Sequence, residues 1–287
     1  LHYGIGARLV ERFGVDAIHF IPSPGAFSLA AARMGWSLPD VTCLTVHGRP
    51  LEAVNLHLYP KAKLLLLSWN GATPKALVEL LAAKGFGDSR VSVLEHMDGD
   101  DENRVDGLAH NWPHDQNANL NTIAVECIAG PEAQFWSRVP GLPEAAYQQD
   151  GQITKREVRA ATLAALTPLP GQTLWDVGAG SGAVGIEWMR MDTHNRAIAF
   201  EHDTTKIDII ERNAKNLGVP MLKIISGDFL DNVQNFDQSP DAIFIGGGVS
   251  DPKVLNACWD RLSTNGRMVA NGVTVEAHHA LMNFNLK

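Results

Sequence analysis

Three acidic residues and a run of glycines hold the chemistry of this chain. In Leu174-Trp175-Asp176-Val177-Gly178-Ala179-Gly180-Ser181-Gly182, an apolar run leads into an acid and then into glycines at every second position. A strand delivered into such a turn brings bare backbone against a ligand that a Cβ would hold off. The next β-rich run, Arg196-Ala197-Ile198-Ala199-Phe200, ends in Glu201, whose carboxylate can accept from both hydroxyls of a ribose. A third run, over 221–226, ends in Gly227-Asp228, with Phe229 next. Each acid alone reads as an ordinary solvated strand end. Three of them, closing three successive strands, point to a single nucleoside-bearing cofactor.

Two cofactor classes share this geometry. Gly178, Gly180 and Ala183 satisfy the G-x-G-x-x-G/A pattern of dinucleotide sites, and such sites also place an acid near Glu201. The run more closely resembles the class I methyltransferases that use S-adenosylmethionine (SAM). That family carries an acid two positions before the first glycine, here Asp176, and glycines where Gly178, Gly180 and Gly182 stand. Its acid after the third strand meets the adenine amino group, the place of Asp228, and dinucleotide sites have no matching requirement. The resemblance therefore implies SAM, held by Asp176, Gly178, Ala179, Gly180, Ser181, Gly182, Glu201, Asp228 and Phe229. Thr154 resembles a further SAM-contacting position at the lip, and it would also serve as an ordinary helix N-cap.

The elements that position these residues can be read from periodicity and turn chemistry. Strands are expected over 15–21, 63–68, 90–95 and 122–128, with helices over 27–34 and 73–84. A stretch rich in proline and glycine, 131–150, reads as a linker or a domain-crossing arm. The pattern restarts with a helix over 155–166, which Pro168 and Pro170 break before the glycine-loop strand. Strands and helices then alternate through 266–273, so the fold class is α/β with a doubly wound parallel sheet.

Net charge is −8 with no basic stripe, which argues against a nucleic-acid partner. The longest apolar run, Leu64-Leu65-Leu66-Leu67, is far too short to span a membrane. Cys43, Cys127 and Cys258 lie far apart, as suits reduced thiols of a cytoplasmic protein rather than disulfides or zinc. The acidic run 98–103 has Asn103 where a calcium loop needs glycine, and no HExxH spacing occurs, so no metal is expected.

A longer set of motifs narrows the resemblance. Gly151-Gln152-Ile153-Thr154-Lys155-Arg156-Glu157-Val158-Arg159, the glycine run, Ile186-Glu187-Trp188-Met189-Arg190 and Asp241-Ala242-Ile243-Phe244-Ile245-Gly246-Gly247-Gly248 resemble the decarboxylating precorrin-6Y methyltransferases of cobalamin synthesis. The first half is similar to their tetrapyrrole-methylase-like domain through Tyr3-Gly4-Ile5-Gly6, Pro22-Ser23-Pro24-Gly25, His47-Gly48-Arg49-Pro50, Ser68-Trp69-Asn70-Gly71-Ala72-Thr73-Pro74 and Gly85-Phe86-Gly87-Asp88-Ser89-Arg90. The resemblance implies a partial tetrapyrrole-methylase-like domain over 1–130, the linker 131–150, and a class I methyltransferase domain over 151–287. It lacks the opening G-x-G-P-G loop and the later G-D-P of the first domain. It also lacks the sixth and seventh strands of the second, so the chain reads as a fragment of a longer polypeptide.

The family's chemistry is SAM-dependent methylation of precorrin-6Y at meso carbons 5 and 15, with decarboxylation of the ring C acetate. One domain would serve one carbon, and the second domain the other carbon plus the decarboxylation. The substrate's carboxylates call for cations, and Lys155, Arg156 and Arg159 are the candidates, with Arg190 behind them. Gly246, Gly247 and Gly248 would let a flat macrocycle approach. Glu187 is expected to pair with Arg190 at i+3. No catalytic base is assigned, and a homo-oligomer is expected from the family. A methyltransferase for another substrate, such as tRNA, or a SAM-binding protein without turnover are the alternatives.

Overall fold

Two five-stranded sheets organise the computed structural model, which describes residues 5–285. The first unit comprises Leu1–Arg49 and Tyr59–Gln134, and the second Pro50–Leu58 and Phe135–Lys287. Of the motif Tyr3-Gly4-Ile5-Gly6, the first two residues lie outside the described range.

The first unit runs α1 (Ile5–Phe13), α2 (Ala26–Met34), β1 (Thr42–Thr45), β2 (Lys63–Leu67), α3 (Thr73–Ala83), β3 (Arg90–Glu95), β4 (Asn103–Leu108) and β5 (Asn121–Glu126). Its sheet has the order β1-β2-β5-β3-β4, with β1 and β2 parallel and the other pairs antiparallel. Helix α2 covers one face, packing Phe27, Ala30 and Ala31 on Leu65, Leu94 and Ala124. The expected strand over 15–21 does not form. Val15–Ala17 makes a single 3-10 turn, and Val15 and Ile21 stay exposed, because β propensity without a pairing edge makes no strand. Strands β1 and β4 carry no clear strand pattern in the sequence. They are the two edges of the sheet, and β4 turns charged residues outward as edges commonly do.

The second unit runs α4 (Arg156–Leu166), β6 (Thr173–Val177), α5 (Ala183–Met191), β7 (Arg196–Glu201), α6 (Thr204–Asn216), β8 (Lys223–Ser226), α7 (Phe229–Asn232), β9 (Ala242–Ile245), α8 (Pro252–Arg261), β10 (Arg267–Ala270) and α9 (Val275–Asn285). All five strands are parallel, in the order β10-β9-β6-β7-β8, so the expected doubly wound sheet is formed. Successive side chains alternate between its two cores. Leu174, Ala242 and Phe244 join Leu163, Ile186, Trp188 and Ile210 on one face. Trp175, Ile243 and Ile245 join Phe229, Leu255 and Cys258 on the other. Strand order reverses between β6 and β9, which is where such sheets open a ligand crevice at their C-terminal ends.

Two segments outside the regular elements complete this unit. The stretch expected as a linker is built into the core instead. Leu142 and Tyr147 are buried there, and the Gly141 and Leu142 N–H groups donate to Glu187 at 2.6 and 3.0 Å. We call its later part, together with the residues that follow as far as Thr154, the strap. The second segment is an arm from the first half of the chain, the 3-10 stretch Leu51–His57. Val54 and Leu56 are buried, and Asn55 Nδ2 donates to the Lys215 carbonyl near the end of α6 at 3.0 Å. Gly218 has φ +81°, and a Cβ on it would stand 2.2 Å from the Leu56 nitrogen. Only glycine lets the exit from α6 meet the arm.

Candidate functional site

A cavity of about 780 Å³ opens at the C-terminal ends of β6, β7 and β9, within the size range of small-molecule and cofactor sites. Its wall includes Gly178, Ala179, Gly180 and Ser181 from the turn after β6, and Glu201 from the end of β7. Asp228 and Phe229 at the start of α7, and Gly246, Gly247 and Gly248 after β9, continue it. Thr154 and Lys155 close it from the strap side.

Glu201 is the buried charged side chain of this wall. Its carboxylate is 3% exposed, and its two oxygens accept the Gly180 N–H at 2.7 Å and the Asp203 N–H at 3.0 Å. Each oxygen retains a second lone pair. The backbone of the glycine loop is therefore pinned to the end of β7. His202 Nδ1 lies 3.3 Å from the same carboxylate. Asp228 Oδ1 accepts the Leu230 N–H at 2.8 Å, so it caps α7 while bordering the cavity. Phe229 packs edge-on against Phe200 and Trp175, with ring centroids 5.1 and 6.2 Å apart, which fixes that side of the wall.

A family profile described as "Precorrin methyltransferase domain" matches residues 145–287. A precorrin-6Y C(5,15)-methyltransferase [decarboxylating] from Sinorhizobium sp is 43% identical over 280 residues, covering 98% of this chain and 68% of the relative. The chain belongs to the precorrin-6Y C(5,15)-methyltransferase family. The relative of the same name from Mycobacterium tuberculosis is 42% identical over 98% of this chain and 70% of its own length. The crystal structure of the C-terminal domain of precorrin-6Y C5,15-methyltransferase from Rhodobacter capsulatus is 39% identical. It overlays 53% of this chain and 80% of its own, with a TM-score of 0.49.

For this member of the precorrin-6Y methyltransferase family, most of the expected residues converge on the cavity and four do not. Asp176 lies behind the loop rather than beside the cavity. Strand alternation turns it with Leu174 towards α5, where its Oδ2 accepts the Gly185 N–H at 2.9 Å and its Oδ1 has no partner. Burial pushes its carboxyl up to about 7, opposed by the Gly185 N–H and reinforced by the charge of Glu201. It ties β6 to α5 and does not border the cavity. Gly182 also lies outside the cavity, at the start of α5 against Ile210.

Arg156 and Arg159 are the other two. Arg156 sits on the exposed first turn of α4 and donates from Nε to the Gly141 carbonyl at 2.8 Å, away from the cavity. Arg159 is 0% exposed. Its Nε meets Glu187 Oε1 at 2.6 Å, and its remaining nitrogens donate to the carbonyls of Thr154 and Leu142. Each nitrogen of Arg159 is engaged within the protein and the side chain is fully buried away from the cavity, so it positions the strap instead. Glu187 correspondingly pairs with Arg159, the Tyr147 hydroxyl and two backbone N–H groups, and not with Arg190. Arg190 donates to the carbonyls of Trp136, Ser137 and Leu217. The i+3 expectation assumes a solvated helix face, whereas α5 is buried from Ala183 to Arg190 and its charges find partners off the helix.

The glycines after β9 have a local reason that precedes any macrocycle. A Cβ on Gly178 would stand 2.6 Å from Gly247 Cα, so the turns after β6 and β9 touch through bare backbone. The cavity also draws on Gln152, which the sequence motif contains without a role, and on His202, Lys206 and Asn271, which lie outside the motifs. Lys206 Nζ donates to Gln152 Oε1 at 2.9 Å and lies 3.7 Å from Asp150 Oδ2. Its position was legible in principle, three residues after the capping Asp203 that closes the β7 turn.

Proposed function

We propose that the second unit binds SAM in this cavity and methylates one meso carbon of precorrin-6Y, with loss of carbon dioxide from the ring C acetate. The observation that carries the reading is the Glu201 carboxylate. It is buried at the C-terminal end of β7, next to β6, held by the glycine loop, and keeps one lone pair on each oxygen for a ribose diol. Membership of the precorrin-6Y methyltransferase family supplies the substrate class and the reaction.

When bound, SAM supplies a methyl group already activated by its sulfonium charge. Asp228 and Phe229 border the adenine end, and Thr154 the lip. Lys155 and Lys206 are the wall's ammonium groups for the substrate's carboxylates. Holding the nucleophilic carbon in line supplies most of the rate, and no side chain needs the role of a strong base. The first unit serves the other meso carbon in the complete enzyme, which works in the cytoplasm as a homo-oligomer.

Calorimetric titration with S-adenosylhomocysteine and with NADH separates the cofactor classes. Binding of the first and not the second is expected. Incubation with precorrin-6Y and methyl-labelled SAM should then transfer label and release carbon dioxide. Label transfer without carbon dioxide would remove the decarboxylation from this unit, and NADH binding alone would overturn the SAM reading.

A further inference from the structure

Asn213 lies on α6, is 1% exposed and does not border the cavity, yet its side-chain amide joins two of the cavity's walls. Its Nδ2 donates to the carbonyls of Gln148 and Ser181, both at 2.9 Å, and its Oδ1 accepts the Gln148 N–H at 2.8 Å. The reverse orientation of the amide would set its oxygen against two carbonyls, so the partners fix which way it points. Ser181 belongs to the glycine loop. Gln148 begins the part of the strap that goes on to wall the cavity at Gln152, Ile153 and Thr154. The Gln152 carbonyl comes within 3.7 Å of where a Cβ on Gly180 would stand, so strap and loop face each other closely.

The same helix holds the strap a second time, through Lys206 and Gln152. Residues 149–152, between the amide and the buried Ile153, are exposed and have little packing of their own to keep them in place. Both ties that hold the two walls together start on α6, from Lys206 at the cavity wall and from Asn213 outside it.

We propose that Asn213 is a positioning residue that fixes the strap against the glycine loop and thereby sets how tightly the cofactor is held. The inference rests on the SAM reading of the cavity. Walls that grip the cofactor equally before and during the reaction affect its affinity and KM, and leave kcat nearly unchanged.

The test is calorimetric titration of S-adenosylhomocysteine into the wild-type chain, Asn213→Asp, Asn213→Ala and Gln148→Pro, with apo unfolding midpoints taken in parallel. Asn213→Asp keeps the shape but loses both donations and turns an anion towards two carbonyls, so Kd should rise about tenfold or more. Gln148→Pro deletes one N–H at an exposed position, after a residue whose extended backbone (φ −115°, ψ 143°) already suits a following proline. It should weaken binding about threefold to tenfold, by loss of a single hydrogen bond. In turnover assays the SAM KM should rise in step, while kcat stays within about twofold and the precorrin KM does not move. Folded variants that bind as the wild type does, or that lose kcat at constant SAM KM, overturn the proposal. If the Asn213 variants do not fold, Gln148→Pro decides alone. A wild-type chain that binds no S-adenosylhomocysteine overturns the SAM reading itself, and the inference with it.

Discussion

The guanidinium of Arg159 has donors enough to clamp a substrate carboxylate, and every nitrogen of it is already engaged inside the protein. Removing one member of such a buried pair leaves the other charge uncompensated. Arg159→Met should cost about 3–5 kcal/mol in urea unfolding and leave the precorrin KM of the folded fraction unchanged. A raised precorrin KM at unchanged stability would return Arg159 to the substrate. Asp176 gives the opposite kind of signal, because it is buried without a countercharge. Its carboxyl titrates near 3.8 when unfolded and about 7 when folded. Between those values the native state keeps a proton that the unfolded chain has released. Its stabilising contribution is complete below about pH 4, is lost as pH rises towards 7, and is level above. Asp176→Asn still accepts the Gly185 N–H, so its stability curve should be flatter across that window, with a gain of a few kcal/mol at pH 8. Thermal unfolding at pH 5 and pH 8 checks this, and identical pH profiles for the two proteins would exclude Asp176 as the titrating group.

Among the elements, those that build the cavity were the easiest to read. Strands β6, β7 and β9 are short apolar runs flanked by glycine or acid, and helix α5 follows directly from a glycine loop. These signals are local. What could not be read depends on partners distant in the chain. The exposed edges β1 and β4 lack a two-sided apolar pattern, and the 15–21 run has that character but no edge to join. The strap looked like a tether because its prolines and glycines mark irregular backbone, and its anchors, Glu187 and Asn213, come much later in the sequence. The same limit separated the site residues. The place of Glu201, Gly178 and Gly180 on the cavity wall was legible from spacing, while the burial of Arg159 depended on a carboxylate in another helix. The arm Leu51–His57 has no periodic signal at all, and it is recognised by what Gly218 must accommodate. Gly218→Ala adds a Cβ at positive φ and against the Leu56 backbone. It should lower stability by about 2–4 kcal/mol, from strain and overpacking together. An unchanged unfolding midpoint would mean that the arm does not dock there.

At the scale of the molecule, a net charge of −8 coexists with two ammonium groups, Lys155 and Lys206, placed locally on the cavity wall. Among the described residues, no helix is long and apolar enough to cross a membrane. The unit that carries the cavity is also discontinuous in sequence, since it incorporates Pro50–Leu58 from the first half. The arm meets the chain where α6 ends, and α6 carries both Lys206 and Asn213. Dissecting the protein by progressive N-terminal truncation would therefore mislead. A cut beyond residue 58 removes no group that borders the cavity, yet it takes away the support at the far end of the helix that holds the strap. The resulting loss of methyl transfer would be charted to the first half of the gene, when its cause lies in the foundation of the second.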